Sequence, residues 1–204
     1  MAIFIVRHGE TDLNATRVVQ PPETPLSARG RAQVARVADR IAARGVAHVL
    51  SSDLARAAET AAAIVARTDA PITYDATLRE RDFGDVRGTP YAELDVDIFA
   101  QGYVPPGGES WEAFRERVAT AWERIVAAAR ATPGNLVVVT HGLVCHAILD
   151  RHASAAGAAP LRWHNTSVTE LEHAPPWTAR IVNCVAHLDD ADGDVSPSPS
   201  SGAV

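Results

Sequence analysis

The chain has 204 residues, 47% of them hydrophobic and 22% charged, which is the composition of one globular domain with a core of its own. Its formal charge of −6 is concentrated in the tail: removing Asp189, Asp190, Asp192 and Asp194 leaves only −2 on residues 1–188, so a broad basic face for nucleic acid is not expected. All 19 basic residues are arginine, and the absence of lysine excludes a P-loop lysine, a kinase-type lysine and a Schiff base to pyridoxal phosphate.

Ala2–Val6 is an apolar run that reads as a buried strand. Arg7-His8-Gly9-Glu10-Thr11 follows at once, so a cation and a possible nucleophile stand where the strand ends. Gly9 is read as letting the backbone turn and approach a ligand. Ser27 reads as the N-cap of a helix with Val34, Val37, Ala38 and Ile41 on one face, ended by Gly45. Val46–Leu50 is a second strand. Asp53 is expected to cap the next helix, with Leu54, Ala57, Ala58, Ala61, Ile64 and Val65 turned inward.

Pro71–Tyr74 is a short extended piece. Residues 81–109 are rich in Gly, Pro and Asp, show no period, and are too long for a passive connection. They are expected to form a functional loop or lid, with Tyr91, Phe99 and Tyr103 either packing it or contacting substrate. Ser110 caps a strong helix whose Trp111, Phe114, Val118, Ala121, Trp122 and Ile125 form a core stripe. Leu136–Val139 followed by Thr140-His141-Gly142 repeats the opening arrangement, with a helix over roughly 143–152 and strands near 167–172 and 178–183. From Asp189 onward the chain has little to bury and is expected to be disordered. Strands alternating with helices predict an α/β fold in three layers, α/β/α, around a mostly parallel sheet. The expected organisation is one catalytic domain, 1–188, and a tail, 189–204.

If the strands run parallel, Arg7, His8, Arg56 and His141 gather at the carboxyl edge of the sheet, where α/β folds bind ligands. Two guanidinium forks, two imidazoles and helix N-termini suit a phosphoryl group. A histidine beside arginines has its cation disfavoured, stays neutral at pH 7, and can attack phosphorus. The leaving alkoxide then needs a proton from a carboxylic acid of raised pKa. Glu80 and Asp82, in Leu78-Arg79-Glu80-Arg81-Asp82-Phe83-Gly84, are the two candidates, and their spacing alone does not separate them.

These segments, in this order, resemble the phosphoglycerate-mutase-like branch of the histidine phosphatase superfamily over nearly all of residues 1–188. Arg-His-Gly-Glu-Thr with Asn14 is similar to the family's opening signature, and Pro25-Leu26-Ser27-Ala28-Arg29-Gly30 to the entry of its first helix. Ser51 to Thr60 is similar to the stretch with its second phosphate arginine, Leu78 to Gly84 to its acid loop, and Thr140-His141-Gly142 to its second histidine. The resemblance implies a phosphoglycerate-mutase-like fold and a phosphatase acting on a small phosphorylated metabolite without metal or cofactor. It implies His8 as the nucleophile that becomes phosphohistidine, and Glu80, rather than Asp82, as proton donor. Arg7, Arg56 and His141, with Gly142 of the same motif, would hold the phosphate, and Asn14 would assist.

Two segments depart from the family pattern. Val19-Gln20-Pro21-Pro22 stands where a Gln-Gly pair is frequent, and Val86-Arg87-Gly88 where Trp-Glu-Gly is frequent. Both put substrate identity in question more than the chemistry, and Arg87 at the rim points to an acidic substrate. A mutase would use the same pocket; the family's mutases carry an insertion after the acid loop, so the shorter chain favours hydrolysis. A non-catalytic phosphate-binding module is the third reading, set against it the presence of every catalytic residue.

Other features read as structural. No HxxxH, HExxH or Cys/His cluster suggests a metal site. His48, His152, His173 and His187 are taken as core or surface residues; His146 lies one turn into the helix after His141 without a family match, and His164, near a loop, has an approach to the pocket as its lesser reading. Cys145 and Cys184, with no CxxC spacing, are taken as small apolar residues of a reducing compartment. The apolar runs are too short for a membrane span and no leader precedes them, so a cytoplasmic protein with no membrane partner is expected.

Overall fold

A computed structural model describes residues 1–155 and 162–188; the tail expected to be disordered lies outside the described residues. Among the described residues, seven strands form one sheet in the order β3-β2-β4-β1-β6-β7-β5. These are β1 (Ala2–Arg7), β2 (Val46–Ser51), β3 (Ile72–Tyr74), β4 (Asn135–Thr140), β5 (Ser154–Ala155), β6 (Val168–Glu172) and β7 (Thr178–Cys184). The pairs β1–β4, β2–β4, β2–β3 and β5–β7 are parallel, whereas β6 runs antiparallel to β1 and β7. The expected mostly parallel α/β/α sheet is therefore present. The strands expected near 167–172 and 178–183 are β6 and β7; their antiparallel sense and the two-residue β5 are what the sequence period did not signal.

The period of two along the central strands decides which helix covers which face. Ile3, Ile5, Leu136 and Val138 point to one side and pack with α4 (Trp111–Ala131) and α5 (Gly142–Arg151). Phe4, Val6, Val137 and Val139 point to the other, where Val37, Ala38 and Ile41 of α2 (Ala28–Ala42) and Ala57, Ala61 and Ile64 of α3 (Ala55–Thr68) meet them. With both faces covered, β1 and β4 read as unbroken apolar runs, as buried parallel strands do. Ser27 and Ser110 cap α2 and α4 by accepting the N–H of Gly30 and Ala113, as Thr11 caps the short α1 (Asp12–Ala15) by accepting that of Asn14.

Three local expectations are corrected. Asp53 does not cap α3; Leu54 holds that position without a side-chain bond, and Asp53 instead accepts two bonds from Arg79, Nε at 2.6 Å. Ala58 and Val65 of α3 are half-buried rather than core. Gly9 is required by packing, not by a sharp turn: a Cβ there would stand 2.6 Å from Val34 and 2.9 Å from the Gly30 carbonyl. A Cβ on Gly30 would in turn stand 1.9 Å from the Glu10 carbonyl oxygen. The two glycines let α2 press directly on the loop that follows β1.

Residues 81–109 are a packed wall rather than a loose flap. Arg81, 2% exposed, donates to the carbonyls of Glu109 (3.1 Å), Ile98 (3.0 Å) and Tyr103 (2.7 Å), and its guanidinium lies 4.1 Å from the Trp111 ring centroid. Phe99 meets Phe83 and Tyr91 edge-on, each at 5.9 Å. The wall is bonded to the segment before α2: Val19 N–H donates to Thr89 O (3.0 Å), Gly88 N–H to Val19 O (2.7 Å) and Tyr91 N–H to Arg17 O (2.9 Å). The two stretches that depart from the family pattern thus fold against each other.

Candidate active site

Parallel register builds the site. Arg7 pairs with Thr140 across β1 and β4, and Ser51 with Val139 across β2 and β4. The next residues, His8 and His141, leave their strands at one level, and Ser52 leaves β2 one residue earlier, level with Thr140. The imidazoles of His8 and His141 are 5.1 Å apart between centroids, tilted by 55°. Arg56, in the first turn of α3, and Arg7 complete a buried cluster; Arg7, His8, Arg56 and His141 are all 4% exposed or less.

His8 is held on every side. Its N–H donates to Thr140 O (2.9 Å), and its carbonyl accepts from Asn165 Nδ2 (3.1 Å) and the Thr166 N–H (3.2 Å). Its Nδ1 lies 2.7 Å from the Gly9 carbonyl oxygen. A carbonyl only accepts, so Nδ1 carries the proton and a neutral ring keeps its lone pair on Nε2. Burial, and secondarily Arg56 and Arg7, push the imidazolium well below its ordinary range, which keeps that ring neutral. The arginines named from sequence as the cause are thus the lesser part.

His141 is also driven well below the ordinary range, by burial first and Arg56 next. Its Nε2 is 2.9 Å from Ser52 Oγ. Burial lowers the guanidinium of Arg56 to about 10, which still leaves it charged at neutral pH. Arg7 donates through Nη1 to the Trp163 carbonyl. The Nε atoms of Arg7 and Arg56, Nδ1 of His141 and Nδ2 of Asn14 are buried with no hydrogen-bond partner among the described residues. Unpartnered buried donors are costly, and an anion bearing several oxygens is the chemistry that satisfies guanidinium groups set side by side.

Glu80 meets this cluster from the acid loop. Its carboxylate accepts from the N–H of Arg81 (3.0 Å) and of Leu143 (3.2 Å). Burial raises its pKa, against the opposing pull of those two amides, Arg56 and Arg7. Asp82 differs: its carboxylate is bonded to Arg87 and to the Gly84 N–H (2.7 Å) and is 45% exposed. Arg117 fixes the acid loop from α4, donating to the carbonyls of Thr77 (2.9 Å), Arg79 (2.7 Å) and Glu80 (3.3 Å) and pairing with Glu109.

A cavity of about 820 Å³ opens over these groups, and Arg7, His8, Arg56, Glu80 and Gly142 line it. A Cβ on Gly142 would approach Arg7 Nε to 3.6 Å, an ordinary contact, so packing alone does not require the glycine at the start of α5. His141 and Asn14 are not in the lining. His141 is fully buried against the His8 ring. Asn14 closes a buried chain instead: its Oδ1 accepts from Thr11 N–H (3.2 Å) and stands 3.3 Å from Asn165 Nδ2, which holds the His8 carbonyl. His164 does not line the cavity either.

Sequence reasoning missed Ser52, Asn165, Trp163 and Arg117. Ser52 had the same signal as the two histidines, a polar residue at the carboxyl end of a buried strand. The other three reach the site only through tertiary contacts. Among the described residues no group of three or more His, Cys, Asp or Glu stands together as a metal site, and no helix is long and apolar enough to cross a membrane.

Known proteins share both sequence and architecture with this chain. It is 35% identical to phosphoglycerate mutase-like protein 4 of Arabidopsis thaliana over 92% of this chain and 87% of that protein. It is 29% identical to a probable phosphoglycerate mutase of Citrobacter koseri, over 93% and 95% of the two chains. Among solved structures, Bacillus stearothermophilus YhfR superposes with a TM-score of 0.80 at 28% identity, covering 91% of this chain and 98% of that one. A mycobacterial glucosyl-3-phosphoglycerate phosphatase complexed with VO3 superposes at 0.75 with 27% identity, covering 90% and 99%. The family model of the histidine phosphatase superfamily, branch 1, matches residues 3–183, and the chain belongs to that superfamily.

Proposed function

We propose that the protein hydrolyses a small phosphate monoester through a phosphohistidine on His8, with Glu80 as the proton donor. The observation that carries this reading is the bond from His8 Nδ1 to the Gly9 carbonyl, beside two buried arginines. It leaves a neutral imidazole with Nε2 as its nucleophilic atom. In the first step the Nε2 lone pair forms a bond to phosphorus while the bond from phosphorus to the ester oxygen breaks. The Glu80 carboxyl proton passes to that oxygen, and the alcohol leaves. Arg7 and Arg56 balance charge on the phosphoryl oxygens as it spreads in the transition state.

In the second step a water gives its proton to the Glu80 carboxylate and its oxygen attacks phosphorus. The P–N bond breaks, inorganic phosphate departs, and both residues return to their starting protonation. His141 supports this arrangement by packing against the His8 ring, and Asn14 by fixing Asn165 and through it the His8 carbonyl. The resemblance to a solved phosphatase over nearly its whole length supports hydrolysis.

A mutase is the second reading, favoured by the names of the two relatives above. Length does not separate the two, because this chain spans 95% of a relative named as a probable mutase. The test is release of inorganic phosphate from a panel of phosphate monoesters with and without chelator, on wild type and His8→Ala. Chelator-insensitive release that disappears in His8→Ala is expected. Efficient conversion of 3-phosphoglycerate to 2-phosphoglycerate in place of phosphate release would assign the mutase instead.

A further inference from the structure

Beyond Arg7 and Arg56, four arginines line the cavity: Arg79, Arg81, Arg87 and Arg117. Such a rim invites an anionic second group on the substrate, and Arg87 alone suggests as much in the sequence. The structure commits each of them elsewhere. Arg79 is held by both oxygens of Asp53. Each guanidinium nitrogen of Arg81 is bonded to a backbone carbonyl. Arg117 is bonded to Glu109 and three carbonyls. Arg87 is paired with Asp82, itself a lining residue.

An incoming carboxylate near Arg87 meets the Asp82 carboxylate in the same place. It must displace that partner or bear its repulsion, and like charges at close range disfavour binding.

One part of the wall has the opposite character. Phe83, Tyr91, Phe99, Val104 and Trp163 line the cavity, the first three in edge-to-face contact. Val104 is 54% exposed, so part of this apolar lining is open to solvent. A cavity of about 820 Å³ is far larger than a phosphoryl group and falls within the range that holds a drug-sized organic ligand. We infer that the leaving group of the substrate is an uncharged, apolar or aromatic alcohol lying against this wall, and that the Asp82–Arg87 pair disfavours carboxylate-bearing esters such as phosphoglycerates. The inference rests on the phosphate-site reading of Arg7 and Arg56 and narrows what carries the phosphate.

The test uses non-hydrolysable phosphonates, so that it does not depend on turnover. Titration calorimetry of the wild-type protein compares benzylphosphonate with 3-phosphonopropionate, which carries a carboxylate. Benzylphosphonate is expected to bind at least about tenfold more tightly; equal affinities, or the reverse order, overturn the proposal. Asp82→Asn keeps the acceptor for the Gly84 N–H but removes the charge opposing Arg87. It is expected to raise affinity for 3-phosphonopropionate several-fold and to leave benzylphosphonate unchanged. Arg87→Gln is expected to change neither ligand more than about twofold. No gain in Asp82→Asn, or loss of 3-phosphonopropionate binding in Arg87→Gln, contradicts the assigned role of the pair. Preferential phosphonate binding without hydrolysis of phenyl phosphate would sink the phosphatase reading while leaving this one standing.

Discussion

The Leu143 N–H donates to a Glu80 carboxylate oxygen at 3.2 Å, pinning the acid loop to the first turn of α5 beside the second histidine. Two amides and two arginines favour the carboxylate, yet burial dominates and the acid is held above its ordinary range. A proton donor matters only where the leaving group needs a proton. Glu80→Gln should therefore lower kcat/KM on an alkyl phosphate by roughly 10²–10⁴, and far less on 4-nitrophenyl phosphate. The alkaline limb of the wild-type pH profile, where Glu80 loses its proton, should vanish in the variant. Equal losses on both esters would argue against a proton-donor role.

Gly30 should tolerate no side chain. Its Cβ would meet the Glu10 carbonyl at 1.9 Å, a backbone atom that cannot swing aside. Gly30→Ala is expected to cost about 3 kcal/mol or more. Because α2 rests on the loop after β1, activity should fall along with the melting temperature. A variant as stable as wild type would show that the loop yields.

His187 makes stability depend on pH. Arg40 donates to its Nδ1 (3.1 Å), its Nε2 faces Thr166 Oγ1 (3.1 Å), and burial, then Arg40 and Arg36, lower its pKa to about 4. The unfolded chain takes up this proton near the ordinary 6.5 and the native state does not. The contribution is therefore full above 6.5 and is lost as the pH falls from there to about 4. His8 and His141 act in the same direction. The fall in melting temperature between pH 7 and pH 4.5 should be shallower in His187→Gln than in wild type; superimposable curves would contradict the assignment.

The parts legible in the sequence are those set by local pattern. Ile3-Phe4-Ile5-Val6 and Leu136 to Val139 declare buried parallel strands because both faces are covered, and Ser27 and Ser110 announce their helices by capping chemistry. Histidines after two such strands then meet because the register aligns Arg7 with Thr140. What stayed hidden depends on contacts distant in sequence. Arg81 organises residues 81–109 through carbonyls up to 28 positions away, and no composition shows that. In the sequence Arg87 reads only as positive charge at the rim, whereas the fold pairs it with Asp82. Gly9 looked like a turn residue because its packing partner, Gly30, lies in another element.

The central claim is a covalent phosphate on His8, and trapping that species tests it most directly. Wild-type enzyme mixed rapidly with a ³²P-labelled monoester and quenched in alkaline detergent should retain label that is stable to base and released by acid, as a phosphoramidate is. Peptide mapping should locate that label at His8, and His8→Ala should retain none. Turnover of the ester by His8→Ala at the wild-type rate, or label placed on another residue, would contradict the account.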